Sequence, residues 1–134
     1  MILLDTITLV WAAMDDPALG KRSRALVNKE ADLRVCPITF WEIGMLIDKD
    51  RLDLGERPSI WIEAILTEAQ IGVAPIEPAI GIDAGRLPGE IHGDPADRLI
   101  IATARALDCP LLTPDEKILA YAKSGHVQVI DARR

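Results

Sequence analysis

The sequence predicts a three-layer α/β/α fold, in which helices cover both faces of a central, mostly parallel sheet of four to five strands. Three observations support this fold class. Short apolar runs alternate along the chain with longer segments whose apolar residues recur at helical spacing. Proline and glycine separate most of these segments. At 134 residues, 49% of them hydrophobic, the chain fits a single domain over 1–134.

The predicted strands are short and largely apolar on both faces, as expected of a sheet that helices cover on both sides. In chain order they are 2–4, 33–36, 72–76, 110–112 and 127–130. Pro37 ends the second of them.

The predicted helices fill the intervals between the strands. They are 8–14, 21–30, a helix beginning near Thr39, 59–70, 78–86, a helix opening at Asp94, and 116–123. The helix at Asp94 has the strongest local signals, because Asp94 is a good N-cap and Pro95 suits the first helical position. In 59–70, the residues expected on the inner face are Ile62, Ile65, Leu66 and Ala69.

Composition limits the classes of function. A net charge of −6 and a pI of about 4.8 argue against a broad basic face for nucleic acid. The net charge still allows a local rim of basic residues that contacts phosphate, and its candidates are Lys21, Arg22, Arg24, Arg98 and Arg105. No segment approaches the ~20 apolar residues of a membrane span, and the first residues lack the pattern of a signal peptide. We therefore expect a cytoplasmic protein without membrane contact.

Cysteine and histidine give no sign of a zinc site. Cys36 and Cys109 each precede a proline at the end of an apolar segment, and we interpret both as buried small hydrophobes. His92 and His126 have no cysteine or histidine at zinc-ligand spacing. Surface polar roles suffice for both histidines.

Four acids lie where an apolar run meets a turn or where a helix opens: Asp5, Glu42, Asp97 and Asp115. In a parallel α/β domain such points converge at one edge of the sheet, where ligands bind. Carboxylates gathered there repel one another, and Mg²⁺ or Mn²⁺, which prefer oxygen ligands, would hold them together. This set predicts a catalytic metal site for hydrolysis of a phosphodiester.

Each acid also has a structural explanation. Asp5 and Asp115 are placed to cap the helices that follow them, and an acid in a first helical turn, such as Asp97, is favoured by the helix dipole. Glu42 follows Thr39 at the spacing of a capping box. Asp94 is expected mainly as an N-cap that touches the site through water, and direct binding of the metal by Asp94 is the alternative.

Three threonines lie beside or near the acids: Thr6, Thr39 and Thr113. Their hydroxyls would orient a carboxylate or a metal-bound water. Threonine at these places is also a common cap or turn former, so both roles stay open.

Four blocks resemble a PIN-domain ribonuclease of the VapC toxin type: Ile2-Leu3-Leu4-Asp5-Thr6, Ile38-Thr39-Phe40-Trp41-Glu42-Ile43, Gly93-Asp94-Pro95-Ala96-Asp97-Arg98-Leu99-Ile100-Ile101-Ala102-Thr103-Ala104 and Leu111-Leu112-Thr113-Pro114-Asp115. The third block is the most specific, although Ala96 stands where phenylalanine is frequent. The resemblance implies that Asp5, Glu42 and Asp97 bind the metal, that Asp115 completes the set, and that Thr113 supports it.

The resemblance further implies cleavage of RNA, commonly a structured RNA such as transfer RNA, with Mg²⁺ or Mn²⁺ as cofactor. The expected partner is a small antitoxin with a DNA-binding head and a tail that inserts a basic residue into the acidic pocket. A homodimer is also expected. Arg98 is a candidate contact for phosphate or for the partner, and pairing with Asp94 or Glu90 is the alternative.

Two other functional classes are alternatives. A receiver-like signalling domain also gathers acids around Mg²⁺, but it needs a phosphoacceptor aspartate after a central strand and a lysine after the last, and neither is found. A PIN-like binding protein without catalysis is the second. A Rossmann nucleotide-binding domain is disfavoured, because no G-x-G-x-x-G follows the first strand.

Overall fold

Five parallel strands form one sheet in the computed structural model, which describes all residues 1–134. The strands are β1 (Ile2–Leu4), β2 (Leu33–Val35), β3 (Gly72–Val73), β4 (Leu111–Thr113) and β5 (Val129–Asp131). Their order across the sheet is β3-β2-β1-β4-β5, and every pairing is parallel. This confirms the predicted sheet, including its strand number.

All seven predicted helices are present, with ends that differ by a few residues. They are α1 (Thr6–Ala13), α2 (Lys21–Lys29), α3 (Ile38–Asp48), α4 (Pro58–Glu63), α5 (Pro78–Gly85), α6 (Pro95–Leu107) and α7 (Glu116–Ala122). None of these helices is long and apolar enough to cross a membrane.

The sheet separates two apolar clusters, because successive strand residues point to opposite faces. On one face, Leu4 and Leu112 pack with α1, α2, α3 and α4. On the other, Leu3 and Leu111 pack with α5, α6 and α7. Both cysteines are free and buried, as predicted. The three layers of the predicted fold are therefore confirmed.

The order of the strands creates a crevice between β1 and β4. From β1 the chain moves outward to β2 and β3, and then returns to the other side of β1 to form β4 and β5. Ligands bind at the carboxyl ends of strands where the order reverses in this way. A receiver-like domain has the order 2-1-3-4-5, so the strand order contradicts that alternative.

The helix predicted at 59–70 changes its geometry half-way. After α4 the chain continues in a wider π-helical turn, Ala64–Glu68, in which Ala69 N–H donates to the carbonyl of Ala64. The extra residue in the turn rotates the following side chains. Ile65 stays buried, whereas Leu66 and Ala69 are exposed, so the predicted inner face is wrong for these two residues.

Candidate metal centre

Asp5 and Asp115 are linked at the crevice by Thr113. Asp5 directly follows β1 and is 6% exposed. One of its oxygens accepts the N–H of Thr8 at 2.8 Å, and the other accepts the hydroxyl of Thr113. The same hydroxyl oxygen accepts the N–H of Asp115 at 3.1 Å. Thr113 therefore fixes the position of one acid relative to the other.

Asp115 is the N-cap of α7 and also faces the crevice. Its Oδ1 accepts the N–H groups of Lys117 and Ile118 at 2.9 and 3.0 Å. A carboxylate has about four acceptor positions, so this cap leaves the second oxygen available. Ligand atoms of Asp115, Asp97 and His92 all lie within 4.8 Å of one another.

Asp97 lies in the first turn of α6, and Asp94 caps that helix by accepting the N–H of Asp97 at 3.0 Å. The carboxylate of Asp97 accepts no directed hydrogen bond from the protein. Its nearest polar neighbour is Nε2 of His92, 3.3 Å from Oδ2. Burial, and then the negative charges of the nearby acids, raise the pKa of Asp97 to about 7.

Glu42 reaches the same region from α3, but not through the predicted capping box. This helix begins at Ile38 with Pro37 as its N-cap, and its first N–H groups donate to the backbone carbonyls of Cys36 and Pro37. A capping side chain is therefore unnecessary, and the capping-box prediction is wrong.

The hydrogen-bond partner of the Glu42 side chain is the hydroxyl of Thr6. It lies within hydrogen-bond distance of Oε1 of Glu42 and of Oγ1 of Thr39, the latter at 3.1 Å. Burial raises the pKa of Glu42, and the hydrogen bond from Thr6 opposes this rise. The charges of Asp94 and Asp5 raise it further.

No arginine or lysine pairs with the acids of the crevice, which are Asp5, Glu42, Asp97 and Asp115. Every ion pair that an arginine makes lies elsewhere, with Asp15, Asp32, Asp83, Glu116 or Asp131. Burial is also the first cause of the raised pKa of Asp5. A set of partly buried carboxylates without a compensating cation fits the oxygen-rich site that Mg²⁺ or Mn²⁺ requires.

Comparison with known proteins identifies the family. A family model described as the PIN domain matches residues 2–124. The chain belongs to the PIN-domain family. It is 27% identical to Ribonuclease VapC22 of Mycobacterium tuberculosis (strain ATCC 25618 / H37Rv) over 128 aligned residues. The alignment covers 96% of this chain and 97% of the relative.

Solved structures with a similar fold cover nearly the whole PIN domain. VapBC2 from Rickettsia felis, bound to a DNA fragment from its promoter, superposes with a TM-score of 0.70 at 19% identity, covering 98% of each chain. FitAcB from Neisseria gonorrhoeae gives 0.65 at 20% identity with the same coverage. A toxin-antitoxin complex from Klebsiella pneumoniae gives 0.66 at 18% identity, again over 98% of each chain. At these sequence identities the structural similarity establishes the fold alone.

His92 belongs to the crevice of this PIN domain, and the surface role predicted for it is wrong. Its side chain is 21% exposed, and its Nε2 atom is buried without a directed hydrogen-bond partner. Zinc-ligand spacing does not reveal His92, because its neighbours are acids. The usable signal was its place two residues before Asp94, in the loop that leads into the most specific block. His126 packs near Tyr121, with ring centroids 6.0 Å apart.

Arg98 holds the loop that carries His92. Its Nε donates to the carbonyl of Ala84 at 2.8 Å, and its Nη1 donates to the carbonyls of Ile91 and His92, both at 3.4 Å. It forms no ion pair, so the alternative of pairing with Asp94 or Glu90 is wrong. Its contact with phosphate or a partner stays a prediction.

Proposed function

We propose that this PIN domain is a metal-dependent endoribonuclease that hydrolyses RNA phosphodiester bonds and acts as the toxin of a toxin–antitoxin pair. The observation that carries the proposal is the cluster of partly buried acids, above all Asp97, with which no arginine or lysine pairs. The curated relative is named a ribonuclease, and three structures of similar fold are VapBC2, FitAcB and a toxin-antitoxin complex.

Asp5, Glu42, Asp97 and Asp115 would hold Mg²⁺ or Mn²⁺ and are the proposed catalytic residues. When bound, the cation would supply the positive charge that activates a water and stabilises the departing oxygen. The protein itself must hold several negatively charged carboxylates close together so that they bind the cation.

The threonines and Asp94 provide that support. Thr113 donates to Asp5 and accepts from the backbone of Asp115, so it resists separation of the two acids. The Thr6 hydroxyl orients Glu42, with the Thr39 hydroxyl behind it. Such partners restrict the orientation of metal ligands, and their loss typically lowers metal affinity about 10- to 100-fold.

Attraction of RNA phosphate would depend mainly on the bound cation. Of the five basic residues predicted to form a rim, Arg24 and Arg105 pair with Asp15 and Asp83, and Arg98 donates to backbone carbonyls. Lys21 and Arg22 are exposed at the start of α2. Because the net charge is −6, the metal-free protein should bind RNA weakly.

The same charge favours a basic partner. We propose that a cognate antitoxin neutralises the protein by placing a basic residue among the crevice acids, where no arginine or lysine of the chain pairs with them. We also propose a homodimer and a cytoplasmic location, where the RNA substrate and the antitoxin would be present.

The decisive experiment is incubation of the purified protein with total cellular RNA in Mg²⁺, in Mn²⁺ and in EDTA. We expect cleavage at defined positions with either metal, and no cleavage in EDTA or with Asp97→Asn. Glu63→Gln, which removes an exposed acid from α4, is the matched control and should cut as wild type does. RNA cleavage of equal rate by wild type and Asp97→Asn would contradict the proposal.

A growth assay tests the toxin role separately. Expression of the wild-type chain without an antitoxin should slow growth, and expression of Asp97→Asn should not. An unchanged growth curve at confirmed soluble expression of the wild type would contradict the toxin role. It would not bear on the ribonuclease activity, which the cleavage assay on purified protein tests.

A further inference from the structure

The ring of His92 is turned toward the acids although it lies in the loop before α6. Its Nε2 atom is 3.3 Å from Oδ2 of Asp97, and a ligand oxygen of Asp115 completes a group whose atoms lie within 4.8 Å of one another. Two ligands of one divalent transition metal, each about 2.0–2.2 Å from it, stand at most about 4.4 Å apart. The observed group needs little movement to share an ion.

The buried nitrogen has no other partner. A buried polar atom without a hydrogen bond is unfavourable, and a loop side chain would ordinarily turn to water. His92 is kept inward because Arg98 donates to the carbonyls of Ile91 and His92 and so holds this part of the loop against α6. The fold therefore maintains an unsatisfied nitrogen beside two carboxylates.

The other ring nitrogen is compatible with metal binding. Nδ1 of His92 accepts the backbone N–H of Asp94 at 3.3 Å. This bond is long for an N–H donor and is therefore weak. This weak contact is the one hydrogen bond of the ring that would have to change for Nε2 to bind a cation.

We propose that His92 Nε2 is a ligand of the same cation as Asp97 and Asp115, and that this nitrogen makes the site favour Mn²⁺ over Mg²⁺. Mg²⁺ strongly prefers oxygen ligands, whereas transition metals accept imidazole. The inference rests on the metal site of the proposed function. It adds a ligand that the acidic residues alone do not provide.

Electron spin echo envelope modulation of bound Mn²⁺ tests the bond directly, because it detects nitrogen coordinated to the ion. Wild type with one equivalent of Mn²⁺ should show nitrogen coupling, and His92→Gln should lose it. The chain has two histidines, so His126→Gln is the matched control and should keep the coupling. Circular dichroism and thermal melting of the variants check that they are folded.

Calorimetric titration with Mn²⁺ alone and Mg²⁺ alone tests the preference. For His92→Gln we expect the Mn²⁺ affinity to fall at least ~10-fold and the Mg²⁺ affinity to change less than ~2-fold. An equal loss for the two metals would show that His92 only positions Asp97 by a hydrogen bond, which overturns the inference.

The outcomes also separate this inference from the proposed function. Mn²⁺ bound to wild type without nitrogen coupling, together with metal-dependent RNA cleavage, would overturn the role of His92 and leave the ribonuclease proposal standing. A wild-type protein that binds neither metal would overturn both.

Discussion

Replacement of Asp97 by asparagine should make the metal-free protein more stable while removing its activity. The Asp97 carboxylate is only 22% exposed, accepts no directed hydrogen bond and lies among other acids. In the absence of a cation its ionised form is therefore unfavourable in the folded protein. Asparagine has nearly the same shape and carries no charge, so it removes this cost without leaving a cavity.

The size of the effect follows from the pKa of Asp97, which rises from 3.8 to about 7 on folding. A difference of roughly three pKa units, at about 1.4 kcal/mol each, sets an upper bound of ~4 kcal/mol. Since the side chain keeps some contact with water, we expect ~2 kcal/mol at pH 8. For a domain of this length that corresponds to a rise in Tm of about 8 °C.

The sign of the pH dependence is fixed by which state holds the proton. Between pH ~4 and ~7 the folded wild type keeps a proton on Asp97 that the unfolded chain has released, so its stability falls as pH rises. Below pH ~4 both states are protonated and the effect vanishes. The stabilising effect of Asp97→Asn should therefore be absent at pH 4, grow up to pH ~7, and stay constant above it.

Urea unfolding in EDTA, followed by circular dichroism from pH 4 to pH 8, measures this difference. Glu63→Gln is the control, because the exposed carboxylate it removes lies outside the crevice. Excess Mn²⁺ should then raise the Tm of wild type and leave that of Asp97→Asn nearly unchanged. A variant no more stable than wild type at pH 8, or a gain independent of pH, would refute the reasoning.

Three further predictions concern stability. Thr113→Val removes the hydroxyl between the acids of the crevice and should lower the free energy of unfolding by about 1–3 kcal/mol in urea. The same change at exposed Thr67 should have less than about 0.5 kcal/mol of effect, and equal effects at the two sites would contradict the support role. Gly20→Ala should be destabilising by about 1–3 kcal/mol, because a Cβ there would lie 2.1–2.5 Å from the backbone of Arg134. Gly44 lies in α3, and no atom lies within 4 Å of a Cβ added there. Gly44→Ala should therefore raise the free energy of unfolding by about 0.5–1 kcal/mol, because alanine loses less backbone entropy on folding. A lower Tm for this variant would contradict that reasoning.

The fold could be predicted where local signals agree with long-range pairing. The start of α6 was placed correctly because Asp94 and Pro95 act within one turn. Predicted strand ends were less accurate at the two edges of the sheet. The third strand ends at Val73 rather than 76, since Pro75 cannot donate to a ladder. The fifth begins at Val129 rather than 127, because apolar character does not distinguish a buried loop residue from a strand residue.

The candidate site was predictable only in part. Because the carboxyl ends of parallel strands meet at one edge of a sheet, the sequence predicts that Asp5 and Asp115 lie close together. In the structure the Thr113 hydroxyl is hydrogen-bonded to both residues, which confirms that they are neighbours. His92 was missed because its contacts depend on how Arg98 holds a loop rich in glycine and proline. Such a loop has no periodic pattern from which the direction of a side chain follows.

Capping and metal binding, which the sequence presents as alternatives, are compatible for the acids of the crevice. Asp5, Asp94 and Asp115 each use one oxygen, Oδ1, to accept helix N–H groups. These bonds fix the carboxylate, and the positive end of the helix offsets part of its charge. Burial, and then the charges of the neighbouring acids, raise the pKa of Asp97 to about 7, and Asp97 has no such bond to oppose this rise. It is therefore the acid that depends most on a cation, and the one whose substitution best separates stability from function.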